Sequence, residues 1–159
     1  MMLHHVSVGS RDVPRAVKFY DQVLKALGYK RLMEFLPHAV GYGDGDHPEF
    51  WVQVPADGKG ASVGNGVHIS FAAPSKSAVN AFHAAAMKAG GKDEGGPGPR
   101  PDYSPQYYGA FCRDLDGNKL EAVVVAPVKP AAKKGAAKKA SAPARKAKAK
   151  PARAKTKRR

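Results

Sequence analysis

His5-Val6-Ser7-Val8 recurs 63 positions later as His68-Ile69-Ser70-Phe71, and the segment after the first copy recurs after the second. Asp12 to Gly28 is answered by Ser75 to Gly91, with Phe19 on Phe82, Leu24 on Met87, Lys25 on Lys88, Ala26 on Ala89 and Gly28 on Gly91. A repeated supersecondary unit cannot bury its apolar face alone, so two copies predict paired modules around a pseudo-symmetric site.

Working outward, Leu3 to Val8 reads as a short buried strand ended by Gly9-Ser10. Asp12 suits an N-cap and Pro14 a first helical turn. Val13, Val17, Tyr20, Leu24 and Leu27 then recur at helical spacing as far as Gly28, which can close a helix in the left-handed conformation. Arg31 to Leu36, His38 to Tyr42 and Phe50 to Val54 read as strands, parted by Pro37 and by Gly43-Asp44-Gly45-Asp46. The second copy offers Val67 to Ala72 as strand, Ser75 as N-cap, and a helix through Val79, Phe82 and Ala86 to Gly90-Gly91. Gly95 to Pro105 reads as a Gly/Pro-rich loop with only a short edge strand. Tyr107 to Arg113 and Lys119 to Val125 read as a hairpin around Asp114-Leu115-Asp116-Gly117-Asn118. The expectation is an α+β domain of two βαβββ modules.

Charge divides the chain. Residues 1–126 hold 13 Lys and Arg against 13 Asp and Glu, so the whole formal +14 lies in residues 127–159. About 125 residues suffice for a core, whereas a tail of Ala, Lys, Arg and Pro has nothing to bury. The expected domains are therefore 1–126, folded, and 127–159, a disordered basic tail. The tail, with 14 basic and no acidic residues, is similar to the C-terminal tails of linker histones and histone-like bacterial proteins. Nucleic acid or another polyanion is its expected partner, through counterion release; the other reading is a solubilising appendage. The single cysteine, Cys112, excludes an internal disulfide and reads as a small buried strand residue in a reducing compartment. With no leader-like start and no apolar run of about 18 residues, neither secretion nor a membrane is expected. The expected place is the cytoplasm, with the nucleoid a further expectation from the tail. G-x-S-x-G, H-E-x-x-H, G-x-G-x-x-G and Walker-type loops are all absent.

Three pieces taken together, Leu3-His4-His5-Val6-Ser7 with Ala16-Val17-Phe19-Tyr20, then Gly66-Val67-His68-Ile69, then Arg113-Asp114-Leu115-Asp116-Gly117-Asn118-Lys119-Leu120-Glu121, resemble the vicinal oxygen chelate superfamily. That superfamily includes glyoxalases, extradiol dioxygenases and bleomycin-resistance proteins. The resemblance covers residues 1–126. It implies a half-open barrel of paired modules with metal ligands on the first and last strands of each, and leaves the reaction type open.

On that resemblance His5, His68 and Glu121 are the metal ligands, a set suited to divalent Fe, Mn, Ni or Zn. Alternation turns Leu120 and Ala122 to the helix side if Glu121 faces the bowl, and puts His4 on the opposite face from His5. The alternative is a pair of satisfied interior histidines with Glu121 at a wet barrel mouth. Aligning Asp44 to Val54 with Asp114 to Val124 sets Trp51 opposite Glu121, where hemithioacetal-isomerising glyoxalases carry a further carboxylate. An indole cannot ligate a metal, so Trp51 reads as an aromatic wall for the substrate or as ordinary core. Arg100, Tyr103 and Tyr107 are further expected substrate contacts, and Arg100 suits a carboxylate or phosphate clamp or else a solvated loop. Of Tyr107 and Tyr108 only one can face the bowl, and its phenol suits a proton donor; Tyr108 with Glu121 is the expected catalytic pair.

Three functions are expected. The first is a metal-dependent lyase, isomerase or dioxygenase that chelates two neighbouring oxygens of a small organic substrate. The second is a metal-free protein that binds a drug or metabolite. The third is a nucleic-acid-associated protein acting through its tail. A homodimer is left open.

Overall fold

The computed structural model describes residues 3–125; the expectations for the basic tail lie outside the described residues. The chain runs β1 (Val6–Gly9), α1 (Val13–Lys25), β2 (Lys30–Phe35), β3 (Ala39–Gly43), β4 (Phe50–Gln53), β5 (His68–Ala72), α2 (Lys76–Lys88), β6 (Lys92–Pro99), β7 (Tyr107–Arg113) and β8 (Lys119–Val125). The repeat is reproduced as two four-stranded mixed sheets, ordered β1-β4-β3-β2 and β5-β8-β7-β6. In each, the first strand runs parallel to the last and the rest pair antiparallel. Among the described residues no strand ladder joins the two sheets.

Local chemistry explains the helices. The Asp12 carboxylate accepts from the Arg15 N–H at 2.9 Å, and the Ser75 hydroxyl accepts from the Ala78 N–H at 3.2 Å, so each helix starts at its expected cap. Gly28, at φ +94°, closes the first unit in the left-handed region. Val13, Val17, Tyr20 and Leu24 of α1 are buried with Val40, Tyr42, Phe50 and Val52 of the first sheet. Val79, Phe82 and Ala86 of α2 are buried with Ala110, Cys112, Leu120 and Ala122 of the second. Aromatic contacts from Phe50 to Phe71 (5.1 Å) and Phe71 to Phe82 (6.4 Å) join the two cores. Cys112 is fully buried, and burial pushes its thiol up to about 12, which suits an inert packing residue.

The modules are also tied by a polar clamp. Asp114 accepts from the buried Tyr20 hydroxyl at 2.6 Å, from the backbone N–H of Asp116 and Asn118, and from the Asn118 amide. Next to it Asp116 accepts from the Ser10 hydroxyl at 2.6 Å and from Arg11, while Asn118 donates to the Gly9 carbonyl. The turn joining β7 to β8 is thus bonded to the start of the first module.

Two boundaries differ from the sequence reading. β6 is an eight-residue edge strand from Lys92, not a short piece inside a loop, although it carries Gly95, Gly96, Pro97 and Gly98. Two register shifts against β7 absorb those residues, as an edge strand allows. β1 begins at Val6, so His4 and His5 precede it. No helix among the described residues is long and apolar enough to cross a membrane.

Candidate functional site

The helices cover one face of each sheet, and alternation assigns every other strand residue to the uncovered face. Glu121 is the residue this exposes as unusual. Its neighbours Leu120 and Ala122 pack toward α2 at 0% exposure, while Glu121 points to the open side and is still only 1% exposed. A buried carboxylate needs a donor or a cation. Its Oε1 accepts from the Tyr107 phenol at 2.5 Å, and its Oε2 lies 3.4 Å from His68 Nε2. Burial first, then the bond to Glu121 and its charge, push the Tyr107 phenol up to about 12, so the proton stays on tyrosine and is donated to the carboxylate. Gly109 makes room for this pair, because a Cβ there would sit 3.0 Å from Glu121 Oε1 and 3.2 Å from the Tyr107 ring.

Register groups the remaining side chains. Ser70 and Phe111 both lie opposite Glu121, and His68 lies opposite Lys119. The Phe111 ring carries the Arg100 guanidinium 5.6 Å from its centroid, the Lys119 ammonium at 5.2 Å and the His68 ring at 6.5 Å. Arg100 is held by its own loop, donating to the Gly96 and Pro99 carbonyls. Tyr103 is 64% exposed and meets the Tyr107 ring edge-on at 5.1 Å. The second sheet therefore gathers Glu121, Tyr107, His68, Arg100 and, at the rim, Tyr103.

Two residues depart from expectation. Tyr108 turns to the helix side and donates to Asn80 of α2 at 2.9 Å, so the tyrosine beside Glu121 is Tyr107. The reason is strand alternation, which gives adjacent residues opposite faces. His4 does not simply face away from His5: their Nδ1 atoms are 2.9 Å apart and His4 also packs against His47, because alternation has no hold on residues ahead of the strand.

Trp51 stands where the repeat sets it. It lies opposite Ser7 as Glu121 lies opposite Ser70, and it is half-buried and stacked on Phe35 at 6.3 Å. It belongs to the first sheet. His5 and His68 border one cavity of about 360 Å³ between the modules, walled by Tyr29, Phe50 and Phe71, which Glu121 does not line. Among the described residues no three His, Cys, Asp or Glu side chains are grouped to hold a metal. His68 Nε2 and Glu121 Oε2 have the separation of two donors to one divalent ion, since ligand bonds of about 2.1 Å put donors roughly 3 Å apart. Lys119, Phe111 and Gly109 escaped the sequence reading, although Lys119 shares a face with Glu121 by simple alternation.

The comparisons agree with this architecture. The model of the Glyoxalase/Bleomycin resistance protein/Dioxygenase superfamily matches residues 2–122. A glyoxalase/bleomycin resistance protein from Albidiferax ferrireducens T118 is 36% identical, with a TM-score of 0.70, over 77% of this chain and 98% of that one. Two others show the fold alone. A family enzyme from Burkholderia phytofirmans PsJN is 18% identical at a TM-score of 0.58, over 77% and 98% of the two chains. Lactoylglutathione lyase from Agrobacterium tumefaciens is 18% identical at 0.54, over 76% and 91%. No curated protein matches the chain. Its sequence match and its paired βαβββ modules make this chain a member of the glyoxalase/bleomycin resistance protein/dioxygenase superfamily.

Proposed function

We propose that the protein is a metal-dependent enzyme that acts on a small organic substrate over the open face of its second sheet, with a bond-rearranging or ring-cleaving reaction of the superfamily's range. The observation that carries this is Glu121, a carboxylate at 1% exposure held between the Tyr107 phenol and the His68 imidazole on a face no helix covers. His68 and Glu121 fit two ligands of a divalent Fe, Mn, Ni or Zn ion. The third, His5, borders the same cavity as His68 but is bonded to His4, and we assign it the completion of the set. When bound, the ion supplies Lewis acidity toward a substrate oxygen. Tyr107 keeps one Glu121 oxygen engaged and holds a proton at its phenol oxygen beside the carboxylate. Arg100, fixed on Phe111, retains donors for an anionic group of the substrate.

The test is metal content of the purified full-length protein after loading and dialysis. One ion per chain is expected, with most of it lost in His5→Ala, His68→Ala and Glu121→Gln. A protein that takes up no stoichiometric ion refutes the metal reading. The exposed apolar face of Met33, Phe35 and Trp51 favours a second reading, a metal-free binder of a planar ligand. Quenching of Trp51 fluorescence by aromatic ligands in excess chelator supports it. The basic residues of 127–159 support affinity for duplex DNA as a separate property. If half of the 14 charges meet phosphates, log K falls against log salt with a slope of about −6.

A further inference from the structure

We infer that a second cavity beside Glu121 seats an oxyanion, a carboxylate or a phosphate, on Lys119 with the charge of Arg113 alongside, so that the substrate is a small organic acid. This subsite deepens the metal-enzyme proposal and rests on it for where the reacting end lies. The cavity holds about 330 Å³ and is lined by the connector from Val63 to Val67, by His68, and by Arg113 and Lys119. Strand register explains the gathering: Lys119 lies opposite His68 on one side and opposite Arg113 on the other, so all three share the open face that Glu121 occupies.

The cavity lining itself carries only positive charge. No acidic residue lines the cavity, and Glu94, the carboxylate nearest both cations, is already committed to Arg113 Nε at 2.6 Å. Arg113 also donates from Nη2 to Glu94 Oε2 at 3.4 Å and from Nη1 to the Gly117 carbonyl at 2.8 Å, so it adds positive charge to the cavity while its nitrogens are already bonded. Lys119 lies 3.7 Å from Glu94 Oε2, at the limit of an ion pair, with its ammonium over Phe111. One carboxylate thus faces two cations, and the ammonium is the less engaged. The connector contributes Gly64 and Gly66 to the lining, which present no side chains. Lys119 and Glu121 are two strand residues apart, about 7 Å, a span that fits a small acid reaching from Lys119 to the His68–Glu121 pair.

The experiment is an NMR titration of the full-length protein, metal-free, with inorganic phosphate and acetate added separately at ionic strength held constant with chloride. Saturable amide shifts at Gly64, Asn65, Gly66 and Lys119 are expected with at least one anion, and the tighter anion names the group. Lys119→Gln should bind at least ten-fold more weakly, Lys119→Arg should recover most of the affinity, and Lys59→Gln, an 85% exposed lysine outside the cavity, should change nothing. Shifts confined to residues 127–159, or equal affinity in Lys119→Gln, overturn the inference. Glu121→Gln separates the two readings, because it should keep the anion while losing metal. Anion binding in a protein that takes up no metal leaves this subsite standing and removes the metal enzyme.

Discussion

Asp114 offers the most quantitative test of how the modules are joined. Its carboxylate accepts four bonds, from Tyr20, the Asp116 and Asn118 N–H groups and the Asn118 amide, all 3.0 Å or shorter. Asp114→Ala removes them and strands the Tyr20 hydroxyl at 0% exposure. An orphaned buried donor costs about 1–3 kcal/mol and the lost turn bonds about as much again, so a total near 3–5 kcal/mol is expected. Tyr20→Phe removes donor and demand together and leaves Asp114 three donors, for a cost of about 1–2 kcal/mol. In the Asp114→Ala background the same Tyr20→Phe change should be neutral or stabilising, which gives a coupling of about 1–3 kcal/mol. Urea unfolding measures it, followed by fluorescence of Trp51, the sole tryptophan, and by far-UV circular dichroism. Trp51 lies in the first module and Asp114 in the second, so a shift seen by Trp51 reports transmission between them. If Tyr20→Phe costs as much in the Asp114→Ala background as alone, the bond is not what joins the halves.

Other outcomes are expected. Burial alone would raise Asp116, but its bonds from Ser10 and Arg11 outweigh that and hold it below the usual carboxylate range. Its stabilising effect is therefore present above about pH 4, the unfolded value, and fades as pH falls through the folded one; thermal melts between pH 2 and 6 should lose part of that slope in Asp116→Asn. Gly109→Ala should force Glu121 and Tyr107 apart and weaken metal uptake at least ten-fold, whereas Gly45→Ala, into open space, should leave uptake unchanged. Alkaline difference spectra should show a tyrosine near pH 12 that disappears in Tyr107→Phe. Tyr108→Phe, which loses only a partly exposed bond to Asn80, should cost under about 1 kcal/mol and spare metal binding.

The sequence carried the repeat, both helix caps, the β7–β8 hairpin and the burial of Cys112, because each depends on local pattern that tertiary context did not override. It did not carry β6: Gly95, Gly96, Pro97 and Gly98 argue for a loop, and only pairing along β7 makes an edge strand of them. Nor could periodicity choose between Tyr107 and Tyr108, since alternation yields two faces and the identity of the covered one comes from α2. The Asp114 clamp was hidden for a different reason. A turn sequence specifies its own bonds, whereas Tyr20, Ser10 and Arg11 reach it across more than 90 positions.

The register gives the repeat its chemical meaning. Ser7 lies opposite Trp51 and Ser70 opposite Glu121, so one backbone place in the duplicated module holds an indole in the first half and a buried carboxylate in the second. Around Trp51 the face is apolar, with Phe35 stacked on it and Met33 exposed. Around Glu121 it is polar and cationic, with His68, Tyr107, Arg100 and Lys119. Two like scaffolds thus carry unlike open faces, an apolar one around the indole and a polar, cationic one around the carboxylate. Trp51→Glu would make the faces alike. It should weaken aromatic ligands by removing the stacking surface, and leave anion binding at Lys119 unchanged.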